Sequence, residues 1–153
     1  MKLNIGCGQD KLDGYVNIDI REEIEPDMVM DIRYLEKIKD ESCEEILASH
    51  VIEHFPIWAE ANIVKLWKTK LKIGGQLIVR CPDLVSIAKM IITDDSDPLL
   101  AQHLFGKQDH PWNYHCTGFT EKTLCKLLRD RDFLIVSTKT DYPNLEVIVE
   151  RHA

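Results

Sequence analysis

A Gly-x-Gly bend directly behind a short apolar run, Leu3-Asn4-Ile5-Gly6-Cys7-Gly8, constrains this chain more than any other stretch. Glycine allows a sharp turn and lets a ligand approach bare backbone closely. At the carboxyl end of the first strand of an open α/β sheet, such a bend borders the crevice where nucleotide-like cofactors bind. Two aspartates fall in step with it. Asp19 follows Tyr15-Val16-Asn17-Ile18, and Asp31 follows Met28-Val29-Met30. A strand-end carboxylate accepts hydrogen bonds from ribose hydroxyls or an adenine amino group. A lone Gly-x-Gly reads as a tight turn; with two strand-end carboxylates in step, it reads as a cofactor site.

The rest of the chain alternates short apolar runs with amphipathic segments, the pattern of a mostly parallel sheet covered by helices. Strands are predicted at 3–5, 15–18, 28–30, 45–49, 76–80, 133–138 and 145–150. The gap Gln9 to Gly14 is too short for a crossover helix, so one turn or an irregular loop is expected there. Arg21 to Asp27 is a charged connector, and Tyr34 to Ser42 reads as a short helix or loop. After Pro56, apolar residues at Trp58, Ala61, Ile63, Val64, Trp67 and Leu71 form a helical stripe. Gly74-Gly75 is placed at the C-cap of that helix. A second helix runs from Asp83 through Ile92, an acidic turn-like break covers 93–98, and a helical turn covers 99–105. Thr120 N-caps a last helix whose core stripe is Leu124, Leu127 and Leu128, and Arg129 to Asp132 is its solvated end. The short link Asp141 to Asn144 predicts an antiparallel hairpin at one edge of the sheet.

With 153 residues the chain reads as a single domain over 1–153 with a sizeable core. A net charge of −7 argues against a nucleic acid duplex or a membrane surface as partner, since phosphate binding needs clustered Lys and Arg. No apolar stretch approaches the roughly 20 residues of a membrane span. Cys7, Cys43, Cys81, Cys116 and Cys125 are odd in number and never spaced Cys-x-x-Cys, which fits reduced thiols in a cytoplasmic protein.

Two constellations carry chemistry. His50-x-x-Glu53-His54 matches an inverted zinc-peptidase motif, which needs both histidines on a stable helix and a further ligand. Here it sits at a strand-to-helix corner just before Pro56, so no metal is expected and a cofactor-lining role is favoured over simple packing. The irregular stretch 106–118 holds His110, Tyr114 and His115. A neutral imidazole there is suited to act as a base, and the competing reading is a polar loop pinned by Trp112 and Phe119.

Taken together these segments resemble a known family. Leu3-Asn4-Ile5-Gly6-Cys7-Gly8 is similar to the first motif of class I S-adenosylmethionine-dependent methyltransferases, in their small, type 11-like branch. Tyr15 to Ile20 looks like that family's second strand with its acidic end, and Ser49-His50-Val51-Ile52-Glu53-His54-Phe55 resembles its motif after strand four. Leu71-Lys72-Ile73-Gly74-Gly75-Gln76-Leu77 is similar to the turn before strand five, with Ile73 where proline is common. Gly118-Phe119-Thr120 and the following leucines resemble its last helix and strand.

The resemblance implies a Rossmann-like three-layer α/β sandwich with a seven-stranded, mostly parallel sheet and an antiparallel last strand. It implies S-adenosyl-L-methionine as cofactor, with Gly6, Cys7 and Gly8 at the methionine part and Asp19 on the ribose. Ile20 packs on adenine, Asp31 and Ile32 hold its edge, and Ser49 and His50 line the sulfonium side. His115 or His110 is the candidate base, and the acceptor is a small molecule or a saccharide. The short first crossover and the missing N-terminal lid point to a homodimer or a partner that closes the site. The rival readings are a non-catalytic module supporting a partner enzyme and an NAD oxidoreductase. The absent third glycine and the short spacing to Asp19 count against NAD.

Overall fold

In the computed structural model, which describes residues 1–94 and 96–153, seven strands form one sheet. They are β1 (Lys2–Ile5), β2 (Val16–Asp19), β3 (Met28–Val29), β4 (Cys43–Ser49), β5 (Leu71–Pro82), β6 (Phe133–Asp141) and β7 (Asn144–Arg151). Their order across the sheet is β3-β2-β1-β4-β5-β7-β6. The first five pair in parallel with one another, and β7 lies antiparallel between β5 and β6. The hairpin is thus present, with Tyr142-Pro143 joining the paired Asp141 and Asn144. The helices are α1 (Ile57–Lys70), α2 (Leu84–Thr93), α3 (Leu100–Phe105) and α4 (Glu121–Arg129).

The crossover from β1 to β2 is indeed a loop, and two buried amides hold it. Asn4 Nδ2 donates to Asp10 O (2.8 Å) and to Asn17 Oδ1 (3.0 Å). The same Asn17 oxygen accepts from Leu12 N–H (2.8 Å). Buried side-chain amides therefore satisfy the loop backbone that helix hydrogen bonds would otherwise satisfy. Residues 34–42 are turns rather than a helix. The break expected over 93–98 includes position 95, which lies outside the described residues.

The core explains why the sheet is covered unevenly. Leu77, Val79 and Cys81 share one face of β5, and their cross-strand partners Val149, Val147 and Leu145 share it on β7. These join Val64 and Trp67 of α1 and Leu124 and Leu128 of α4 in one buried cluster. The opposite face of β5 and β7 stays partly open and polar, with Arg80 paired to Glu146 at 2.5 Å.

One boundary differs from the sequence expectation. Helix α1 ends at Lys70, and Leu71 already pairs with Cys43, so Gly74-Gly75 is not its C-cap. The glycines instead lie in the bulge where β4 and β5 shift register between Cys43 and Glu45. Leu71 is fully buried, and the guanidinium of Arg151 donates to Lys68 O (3.3 Å) and Leu71 O (2.5 Å). A cation on the last carbonyls caps the helix without glycine.

Candidate functional site

All the sequence-predicted site residues line one open cavity of about 1570 Å³ at the carboxyl ends of β1, β2, β4 and β5. Gly6 and Gly8 make the bend with φ of 63° and 54°. A Cβ on Gly6 would lie 2.7 Å from Val51 Cγ2, so both the turn and the close packing require glycine there. The bend is tied to β2 by two bonds. Cys7 N–H donates to Ile18 O (3.0 Å), and Gly8 N–H donates to Asp19 Oδ2 (2.9 Å).

Asp19 is 5% exposed, and its carboxylate accepts two further bonds, from Arg21 N–H (3.0 Å) and Arg21 Nε (3.2 Å). Burial works against its ionised form, but these donors outweigh burial and hold its pKa below the usual carboxylate range. Asp31 is gripped the same way. Arg33 N–H donates to Oδ1 (2.9 Å), and the Arg33 guanidinium reaches Oδ2 through Nη2 (2.5 Å). Ile20 and Ile32 sit beside these carboxylates on the cavity wall.

The two arginines, not singled out in the sequence, also bridge to the 106–118 stretch. Arg21 Nη1 lies 3.3 Å from His110 Nε2, and the Arg33 guanidinium lies 5.7 Å over the Trp112 ring. That stretch therefore furnishes a cover over the β2 and β3 strand ends. Its backbone turns at Gly106, where a Cβ would lie 2.2 Å from Asn113 O.

Ser49 and His50 stand on the far side of the bend. The strand-to-helix corner expected before Pro56 is present and takes the form of a 3-10 turn over Ile52–His54, and His50 has φ 55°. His50 N–H donates to Arg80 O (2.9 Å), which locks the corner to β5. Beneath it Glu53 is 1% exposed. His50 Nδ1 sits 3.3 Å from Glu53 Oε1, within ion-pair range but off the hydrogen-bond line; neither Glu53 oxygen has a hydrogen-bond partner among the described residues. The adjacent carboxylate raises the His50 pKa against the opposing effect of burial.

The covering stretch returns to this corner. Cys116 N–H and Thr117 N–H both donate to Glu53 O, at 2.8 and 3.1 Å. His115 thereby lands beside His54, with ring centroids 5.0 Å apart and planes at 69°. His54 Nδ1 is 2.9 Å from Tyr114 O, and His115 Nδ1 is 3.1 Å from His103 O. A carbonyl only accepts, so in the neutral form of each ring Nδ1 carries the proton and Nε2 the lone pair. Burial lowers the His115 pKa, which favours the neutral ring a base requires. His110 Nδ1 instead accepts from Trp112 N–H (3.2 Å), close to the Arg21 cation.

Solved structures share this architecture. An S-adenosylmethionine-dependent methyltransferase from Methanosarcina mazei has 21% identity and a TM-score of 0.70, over 99% of this chain and 92% of that one. This is the fold of class I S-adenosylmethionine-dependent methyltransferases. A Burkholderia thailandensis 1,6-didemethyltoxoflavin N1-methyltransferase with bound S-adenosylhomocysteine has 12% identity and a TM-score of 0.67, over 99% and 71%. A Haloferax volcanii putative methyltransferase, in complex with the Trm112 methyltransferase activator, has 10% identity and a TM-score of 0.71, over 99% and 82%. No family model and no curated protein sequence matches the chain. Among the described residues, no helix is long and apolar enough to cross a membrane.

Proposed function

We propose that this chain, acting as one domain, is an S-adenosylmethionine-dependent methyltransferase for a small-molecule or saccharide acceptor. The observation that carries the reading is the Gly8 N–H to Asp19 bond. It sets a bare glycine bend and a buried carboxylate on one rim of a cavity that also holds Asp31, Ser49 and His50. On this reading Gly6, Cys7 and Gly8 border the methionine part, Asp19 takes a ribose hydroxyl, and Ile20 packs on adenine. Asp31 and Ile32 meet the adenine edge, and Ser49 and His50 line the sulfonium. The sulfonium is already activated, so the chain's task is to align an acceptor with the methyl group and to exclude water. His115, neutral and half-buried, is the better placed base, since His110 lies against a guanidinium. Four buried free cysteines favour a cytoplasmic setting.

Calorimetric titration with S-adenosylhomocysteine, S-adenosylmethionine and NADH tests the cofactor. Heat on NADH alone refutes the assignment. Methyl transfer from labelled S-adenosylmethionine to a panel of sugars and small hydroxyl compounds tests the activity.

A second reading, a non-catalytic module that binds the cofactor and supports a partner, is favoured by the exposed apolar rim. Ile57 and Trp58 are 76% and 78% exposed at the start of α1, and Trp58 borders the cavity. Cofactor binding with no transfer to any acceptor, until a partner is added, would select it.

A further inference from the structure

We propose that Glu53, His54 and His115 form a binding site for one divalent transition-metal cation, opening on the His50 side of the cavity. One carboxylate oxygen and two imidazole nitrogens lie within 4.8 Å of one another here. A carboxylate with two histidines suits zinc, manganese, iron and cobalt, and leaves coordination positions open.

Three further observations bear on this site, and the first of them points to an ion. The first is Glu53 itself, 1% exposed with neither oxygen hydrogen-bonded among the described residues. A buried carboxylate is normally paired or bound to a metal. The neighbouring His50, at 3.3 Å, offers only partial compensation. The second is the state of the two rings. Backbone carbonyls of Tyr114 and His103 lie on both Nδ1 atoms, so in the neutral form of each ring Nε2 is the atom left to bind a metal. Outer hydrogen bonds of this kind orient metal-binding imidazoles. The third is the paired bonds from Cys116 and Thr117 N–H to Glu53 O, which fix His115 against a corner sixty residues away in sequence. His54 and His115 border the cavity, so an ion has a route in and open positions that face a ligand.

The sequence predicts no metal here because His50 and His54 lie at a corner rather than on a helix. The corner is as expected, but the third donor arrives from another loop.

A role for the ion in chemistry rests on the methyltransferase reading. A bound ion would engage the Nε2 lone pair of His115, which then no longer serves as the base, and would take the acceptor's hydroxyl oxygen as a ligand, the hydroxyl proton passing to water. The oxygen lone pair then forms the C–O bond to the methyl carbon. The C–S bond breaks and its electron pair stays on sulfur, giving S-adenosylhomocysteine.

The test uses the full chain stripped with EDTA and titrated with Zn²⁺ by calorimetry and with Co²⁺ by visible absorption. One equivalent should bind, with d–d bands of a nitrogen–oxygen site. Glu53→Gln and His115→Ala should each weaken binding by at least about 100-fold, the scale on which coordination shells respond to loss of a group. Glu53→Gln is isosteric and His115→Ala lies on a loop, so one serves if the other fails to fold. No uptake by the wild type, or uptake undiminished in both variants, overturns the proposal. S-adenosylhomocysteine is titrated into the same samples. Cofactor binding without Co²⁺ binding sinks the ion site alone. Co²⁺ binding without cofactor binding sinks the methyltransferase reading and leaves the ion site standing.

Discussion

Replacing Asp19 by asparagine separates what this carboxylate does for the fold from what it does for the ligand. Its oxygens accept from Gly8 N–H at 2.9 Å, Arg21 N–H at 3.0 Å and Arg21 Nε at 3.2 Å. The best placement of the new amide keeps its oxygen toward Arg21 and turns its NH₂ toward Gly8. Two donors then face each other, and the half-buried Gly8 N–H loses its partner. An unmet buried donor costs about 1–3 kcal/mol. Taking ~2 kcal/mol, and about 2–4 °C per kcal/mol for a chain of this length, the melting temperature should fall by roughly 4–8 °C. A carboxylate has about four lone-pair sites, and three are taken, so about one remains for a ribose hydroxyl. Turning that bond from charge-assisted to neutral costs about 1–1.5 kcal/mol, a loss of roughly 5- to 13-fold in S-adenosylhomocysteine affinity. Scanning fluorimetry gives the first number and calorimetry the second. If the variant melts with the wild type, Asp19 is not what holds the bend. If it melts lower yet binds within twofold of the wild type, the ribose does not sit on Asp19.

Acid stability follows from the same group: the Asp19 pKa is lowered in the folded chain, so its contribution is complete above the unfolded value of about 3.9 and is lost as pH falls through the folded one. Asp19→Asn should therefore flatten the acid limb of a melting-temperature against pH curve, and a parallel curve would contradict this. Gly106→Ala places a Cβ 2.2 Å from the Asn113 backbone oxygen at φ 77°, so the cover over 106–118 should come free. Limited proteolysis should then cut there at least about tenfold faster, following the local opening equilibrium, while the melting temperature stays closer to wild type. Native protein at pH 8 should show one fast thiol towards a disulfide reagent, the exposed Cys116, and Cys116→Ser should remove it. Cys7 is shielded by burial and by Asp19, which push its pKa to about 11, so its modification should require unfolding.

The sequence alone determined the order of strands and helices, because alternation, helical stripes and turn residues are local and survive in a linear reading. Gly6, Gly8, Asp19 and Asp31 were legible for that reason, since each marks a strand end. The stop of α1 was not, because Leu71 is claimed by the core and Arg151, at the far end of the chain, caps the helix. The partners Arg21 and Arg33 looked like ordinary connector charges until the fold put them on the two aspartates. Only the tertiary structure brought His115 to Glu53 and His54, through two backbone bonds across some sixty residues. Spacing along a chain encodes which face a residue takes on its own element. Which residues of distant elements share a cavity depends on how those elements pack, and no local pattern carries that.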